Sequence, residues 1–131
     1  MTRFGRAVVV GIGLGLVVGC APSNPGGKVA DPGKVALEDL GQMLKSLAEQ
    51  GKRPPTKLAE LEPVEPMIPN AGPAIRTGDI VYLWGATYAA GSDKVVAHEK
   101  KAPTEGGYVL LQNGSVKTMT ADEFRSAPKA K

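Results

Sequence analysis

The chain has 131 residues, with 16 basic and 13 acidic side chains, one histidine and one cysteine. That length holds one small domain. A lone cysteine excludes an intrachain disulfide and a cysteine-based metal cluster, so the core must hold by packing without staples. Once Arg3 and Arg6 are assigned to a leader, 14 basic groups face 13 acidic ones, far from the strongly basic balance of a nucleic-acid-binding domain.

Residues 1–20 follow the plan of an export signal. Arg3 and Arg6 make a positive start, and residues 7–18 are an uncharged apolar and glycine run of twelve. Such a run suits a signal's hydrophobic region and falls short of the ~20 residues that span a bilayer. Gly11, Gly15 and Gly19 have the small-xxx-small spacing of a helix dimer face, although a glycine-rich signal accounts for them as simply. Val17, Val18, Gly19 and Cys20 resemble the lipobox of bacterial lipoproteins. The resemblance implies that the Cys20 thiol receives a diacylglyceryl group, that signal peptidase II removes residues 1–19, and that the new amine takes a fatty acyl chain such as palmitate. Two lipid signals suffice for stable membrane anchoring. Ala21 in the place of Asp implies, by the sorting rule of such lipoproteins, delivery to the outer membrane, facing the periplasm.

Residues 20–34 read as the lipidated cysteine and a flexible tether, because APSNPGGKVADPGK is rich in Pro and Gly and lacks apolar periodicity. A helix follows. Asp31-Pro32 suits an N-cap and first turn, and Leu37, Leu40, Leu44 and Leu47 recur at three- and four-residue steps with polar residues between them. Gly51 stands where a C-terminal cap is expected, and Pro54-Pro55 forbid continuation. The leucine stripe is read as core, with a partner-binding face as the alternative. Thr56 suits the cap of a short helix over residues 57–61, after which EPVEPMIPNAGP, residues 62–73, reads as ordered coil because of its prolines.

The second half reads as strand. Residues 80–84, 94–98, 108–112 and 115–118 are β-rich. Asn113-Gly114 between the last two is a two-residue hairpin signal of type I′. Sequential strands joined by tight turns predict an antiparallel meander of three to four strands. The expected fold is α+β: one amphipathic helix on a small sheet, spanning residues 35–125, with residues 126–131 as a disordered tail. The strand at 80–84 is apolar on both faces, so its second face needs residues 62–79 or a partner to cover it. Tyr82 and Trp84 are the candidate interface residues, since aromatic side chains are enriched at interface hot spots.

GGYVLLQNGSVKTMTADEF, residues 106–124, is similar to the C-terminal tail of pseudopilin-like proteins common in planctomycete-type bacteria, whose pattern runs His, nine residues, Asp-Gly and a short strand. Gly106-Gly107, residues 109–111 and residues 114–116 match, and VVAHEK at 95–100 and RPPTKLAEL at 53–61 resemble preceding elements of that family. Pro103 stands where His is usual and Asn113 where Asp is usual, and a lipoprotein leader replaces the prepilin signal. The resemblance therefore implies a fold and carries no residue roles. It also suggests an accessory part in a type II secretion or pilus-like system.

Candidate catalytic groups are few. His98 is the only histidine, and Glu99 beside it points to the opposite face of a strand, so the two cannot pair. Of the carboxylate pairs Glu38/Asp39, Glu60/Glu62 and Asp122/Glu123, two fall at helix starts or in caps, where negative charge favours the helix dipole, and acid–base catalysis needs one carboxylate with a perturbed pKa in a cleft. A zinc site would need several His or Cys ligands, and no phosphate-binding loop pattern occurs. Short basic groups at Lys52-Arg53 and at Lys94, Lys100 and Lys101 read as solvated surface. The expectation is a non-enzymatic interaction or structural module without metal, cofactor or nucleic acid, held to a membrane by lipid and meeting a protein partner. A small hydrolase or ligand-binding lipoprotein using His98 is the alternative.

Overall fold

The computed structural model describes residues 31–130. The expected leader, the lipobox Val17-Val18-Gly19-Cys20 and residues 21–30 of the tether lie outside the described residues. The first helix starts earlier than the expected boundary at 35, because Asp31 is the N-cap of α1 (Pro32–Glu49) and its carboxylate accepts from the Gly33 N–H at 2.9 Å. Pro32 at the first helical position lacks only an N–H that would have no intrahelical partner. The helix closes with the bond pair of a Schellman motif: Lys52 N–H donates to Leu47 O at 2.9 Å and Gly51 N–H to Ala48 O at 3.1 Å. Gly51 has φ +69°, which a glycine takes without steric penalty. The four stripe leucines are buried, joined by Ala36, Gly41 and Met43.

The proline-rich stretch is more regular than expected. A 3-10 helix runs over Leu58–Met67 with Pro63 and Pro66 inside it, and α2 follows over Ala71–Thr77. Pro73 falls within the first turn of α2, where N–H groups have no intrahelical acceptor. Thr56 does not cap the 3-10 helix. Its N–H and hydroxyl both donate to Glu60, at 2.9 and 3.0 Å. Asp39 of α1 accepts from the backbone N–H and side-chain amide of Asn70, at 2.8 and 3.0 Å, and so fixes the start of α2.

The sheet is a four-stranded antiparallel meander in the order β1 (Ile80–Tyr82), β2 (Val95–Glu99), β3 (Gly107–Leu111) and β4 (Val116–Met119). The fold is α+β as expected, with two short helices not foreseen as such: α3 (Ala102–Glu105) and α4 (Ala121–Ser126). The register pairs Tyr82 with Ala97, His98 with Val109 and Leu110 with Val116, and an irregularity lies between Val95 and Ala97.

The β3–β4 connection differs from the two-residue turn expected at Asn113-Gly114. Leu111 N–H donates to Ser115 O at 2.8 Å, and Gly114 N–H donates to Leu111 O at 2.9 Å. That pattern encloses residues 112–114, a three-residue hairpin loop ending on a left-handed glycine. Gly114 has φ +91°. The Asn113 carboxamide oxygen accepts from Ser115 N–H at 2.9 Å, which favours the longer loop over the tight one.

Residues 62–79 do not cover the second face of the sheet. Leu61, Ile68, Ala71 and Ile75 share one cluster with the α1 leucines, Ile80, Tyr82, Val96 and Leu110. The opposite face carries a second cluster of Val95, Ala102, Val109, Leu111 and Phe124, supplied in part by α3 and α4. Nor do residues 126–130 form a free tail. Val95 N–H donates to Pro128 O at 2.9 Å, Ala130 N–H donates to Val95 O at 2.8 Å, and Ala130 is buried. Val95 has this side open because β1 pairs with β2 only from Ala97 onward.

Candidate functional site

The two expected interface residues part company. Tyr82 belongs to the core at 2% exposure, and its hydroxyl donates to Ala86 O at 2.7 Å. Burial pushes that hydroxyl's pKa well above the usual tyrosine range. Trp84 is 39% exposed. It sits on the turn that takes the chain off the sheet, defined by Leu83 N–H to Val96 O at 2.9 Å and Ala86 N–H to Leu83 O at 2.9 Å. Gly85 N–H donates to Pro55 O at 3.0 Å and pins this turn to the loop after α1. The indole meets the Tyr82 ring edge-on, with centroids 5.1 Å apart and an interplanar angle of 75°. Trp84 is therefore a surface aromatic on a hydrogen-bonded turn, braced by one buried ring. Leu58 and Met67 of the 3-10 helix are the other large apolar side chains exposed among the described residues.

His98 is a core residue of the second face at 7% exposure, more deeply placed than an edge position would be. Its Nδ1 lies 2.7 Å from Glu99 O, so Nδ1 carries the proton of the neutral ring and donates. The ring packs against Phe124, with centroids 4.5 Å apart. Burial first and the Lys129 charge also hold the His98 pKa below its ordinary value, against the carbonyl contact that raises it. The Glu99 carboxylate serves elsewhere, accepting from Tyr108 N–H at 2.7 Å.

At least one member of each acidic pair is engaged, Asp39 by Asn70. Glu60 binds Thr56 and Arg53, and the two Thr56 hydrogen bonds lower its pKa, with Arg53 and Lys57 adding to them against a small burial effect. Glu123 completes a capping box with Thr120 at the start of α4, and Asp122 pairs with Arg125 at 2.7 Å. Among the described residues, no group of three or more His, Cys, Asp or Glu side chains is placed to hold a metal ion. A cleft of about 750 Å³ opens beside the N-terminus of α1 and is bordered by Asp31, Asp79, Glu99, Lys101 and Glu105. It carries both signs of charge, as a solvated rim does.

Sequence reasoning missed Lys129 and Phe124. Lys129 Nζ donates to Phe124 O and Ala127 O, both at 2.6 Å, and stands 4.4 Å from the Phe124 ring centroid. The Thr120–Glu123 spacing is a readable helix start, but nothing local marks Lys129 as the cation that closes the helix end. Cys20 and the other lipobox residues lie outside the described residues, as does any contact they make. No protein-family model, curated protein or solved structure matches the chain.

Proposed function

We propose that the chain is an exported lipoprotein, cleaved before Cys20, lipidated on that thiol and acting as a non-enzymatic interaction module at a membrane surface. The outer membrane, facing the periplasm, is the destination that Ala21 favours. One observation carries the reading: the lipobox-like Val17-Val18-Gly19-Cys20 closes a charged-then-apolar leader and stands eleven residues before Asp31, the N-cap of α1. Eleven residues span at most about 40 Å. The domain is thereby confined to the first layer above the bilayer, where a partner at the same surface meets it at high effective concentration. Lipid at Cys20 is the attachment proposed; among the described residues, no helix is long and apolar enough to cross a membrane.

Trp84 is the contact residue of the proposed module. A partly exposed indole on a fixed turn loses little conformational freedom on binding and offers a large apolar area, which is the profile of an interface anchor. The engagement of Asp39, Glu60, Asp122 and Glu123 in caps and ion pairs favours binding over acid–base chemistry.

The test is fractionation with a labelled fatty acid. The wild-type protein should carry the label and sediment with membranes, and Cys20→Ala should carry none and leave the membrane fraction. Cross-links from the Trp84 turn to a neighbouring envelope protein should disappear in Trp84→Ala while the lipid label remains. A label retained in Cys20→Ala would refute the anchor, and unchanged cross-links in Trp84→Ala would refute the contact.

A further inference from the structure

We propose that α4 and residues 128–130 form an acid-released latch over the second face of the sheet, with the buried His98 imidazole as its trigger. The latch is one continuous run of contacts. Residues 128–130 occupy the place beside Val95 that β1 leaves open, held by Val95 N–H to Pro128 O and Ala130 N–H to Val95 O. Lys129, between them, caps the end of α4 through its bonds to Phe124 O and Ala127 O and lies over the Phe124 ring. Phe124 in turn packs on His98. Moving any one of these groups moves the next.

The His98 ring sits where a positive charge is poorly tolerated. Its Nδ1 proton is committed to Glu99 O, so an added proton must go to Nε2. Val81 of β1 and Val109 of β3 are its cross-strand neighbours, and the charge that bears on it is the like-signed Lys129 ammonium. The charged groups of the surrounding elements offer no compensation: Arg125 of α4 is tied to Asp122, Glu123 is in the capping box, and the Glu99 carboxylate is bound to Tyr108 N–H. Lys117 of β4, which pairs with Val109 and so lies on the same face, is exposed and also positive.

Acid therefore has a cheap route and an expensive one. The expensive route unfolds the α1 cluster, which does not include His98, Phe124 or Val109. The cheap route lifts α4 and residues 128–130 and lets water reach the imidazolium, at the cost of the smaller cluster of Val95, Ala102, Val109, Leu111 and Phe124 and of Ala130 alone from the α1 cluster. Opening uncovers the apolar side chains of Val95, Val109 and Leu111 together with the free side of Val95, a surface with which an added strand can pair. The sign follows from the depressed pKa: the open form binds the proton more tightly. The latch is at full strength above about pH 6.5 and weakens as the pH falls through that value.

Hydrogen exchange of the full chain in detergent, at about pH 7.5 and about pH 5 and corrected for the intrinsic pH dependence of exchange, tests this directly. Protection of the peptide covering α4 and residues 128–130 should fall by about tenfold per pH unit at most below the open-state pKa, while α1 stays protected. His98→Gln should remove the pH step. Equal loss of protection in α1, or a step that survives in His98→Gln, would overturn the latch. Because the chain has a single histidine, a proton NMR titration of the wild-type ring gives a readout that does not depend on the variant folding. Its midpoint should coincide with the opening of α4, and two separate midpoints would also overturn the proposal.

Discussion

Replacing Gly114 by alanine isolates one backbone angle. An ideal Cβ at this position meets Tyr88 Cε2 at 3.5 Å and Cδ2 at 4.0 Å, which is ordinary contact, so the pocket accepts a methyl group. What alanine cannot accept cheaply is φ +91°, and a left-handed conformation costs an L-residue roughly 1–2 kcal/mol. A domain of this size has a total stability of about 5–15 kcal/mol, and each kcal/mol corresponds to about 4–8 °C in melting temperature. Gly114→Ala should therefore lower Tm by roughly 5–15 °C with far-UV circular dichroism unchanged. Gly114→Asn should lower it less, since asparagine visits the left-handed region more readily. Equal melting temperatures for wild type and Gly114→Ala would show that residue 114 does not need a positive φ and that the three-residue loop is wrong.

Three further substitutions divide the molecule by depth. Trp84→Ala should leave the fold intact and cost about 0.5–1.5 kcal/mol through loss of the edge-on contact with Tyr82, and in the wild type emission from this single tryptophan should be red-shifted and quenchable by iodide; a blue-shifted spectrum would place the indole in the core. Leu40→Ala removes a fully buried stripe residue and should cost about 2–5 kcal/mol in chemical denaturation, a loss that would be absent if the α1 stripe faced a partner. Thr120→Ala breaks the capping box of α4 and should cost about 1 kcal/mol, with the added hydrogen exchange confined to α4 and residues 128–130.

The parts of this fold that could be read from sequence are those whose signals are local. Asp31-Pro32, the leucine stripe and Gly51 mark both ends and the buried face of α1, because caps and periodicity act within one or two turns. The four strands fell within two residues of their observed ends for the same reason. The helix expected over residues 57–61 continues as a 3-10 helix to Met67, and the helical part of residues 62–77 is not legible because proline reads as a breaker. Pro73 lies in the first turn of α2, where no N–H donor is needed. The order of residues 126–130 was invisible because it depends on the vacancy beside Val95, a consequence of where β1 ends and not of local composition. Trp84 was ambiguous for a related reason: strand alternation assigns faces only while the chain remains in the sheet, and β1 ends at Tyr82.

Mass spectrometry of the N-terminal peptide from the membrane-extracted protein decides whether Cys20 is the lipidated first residue of the mature chain. The peptide should begin at Cys20, lack residues 1–19 and carry the mass of a diacylglyceryl thioether with or without an N-acyl chain. A peptide that begins at any other residue, or at Cys20 with an unmodified thiol, would contradict the lipid anchor.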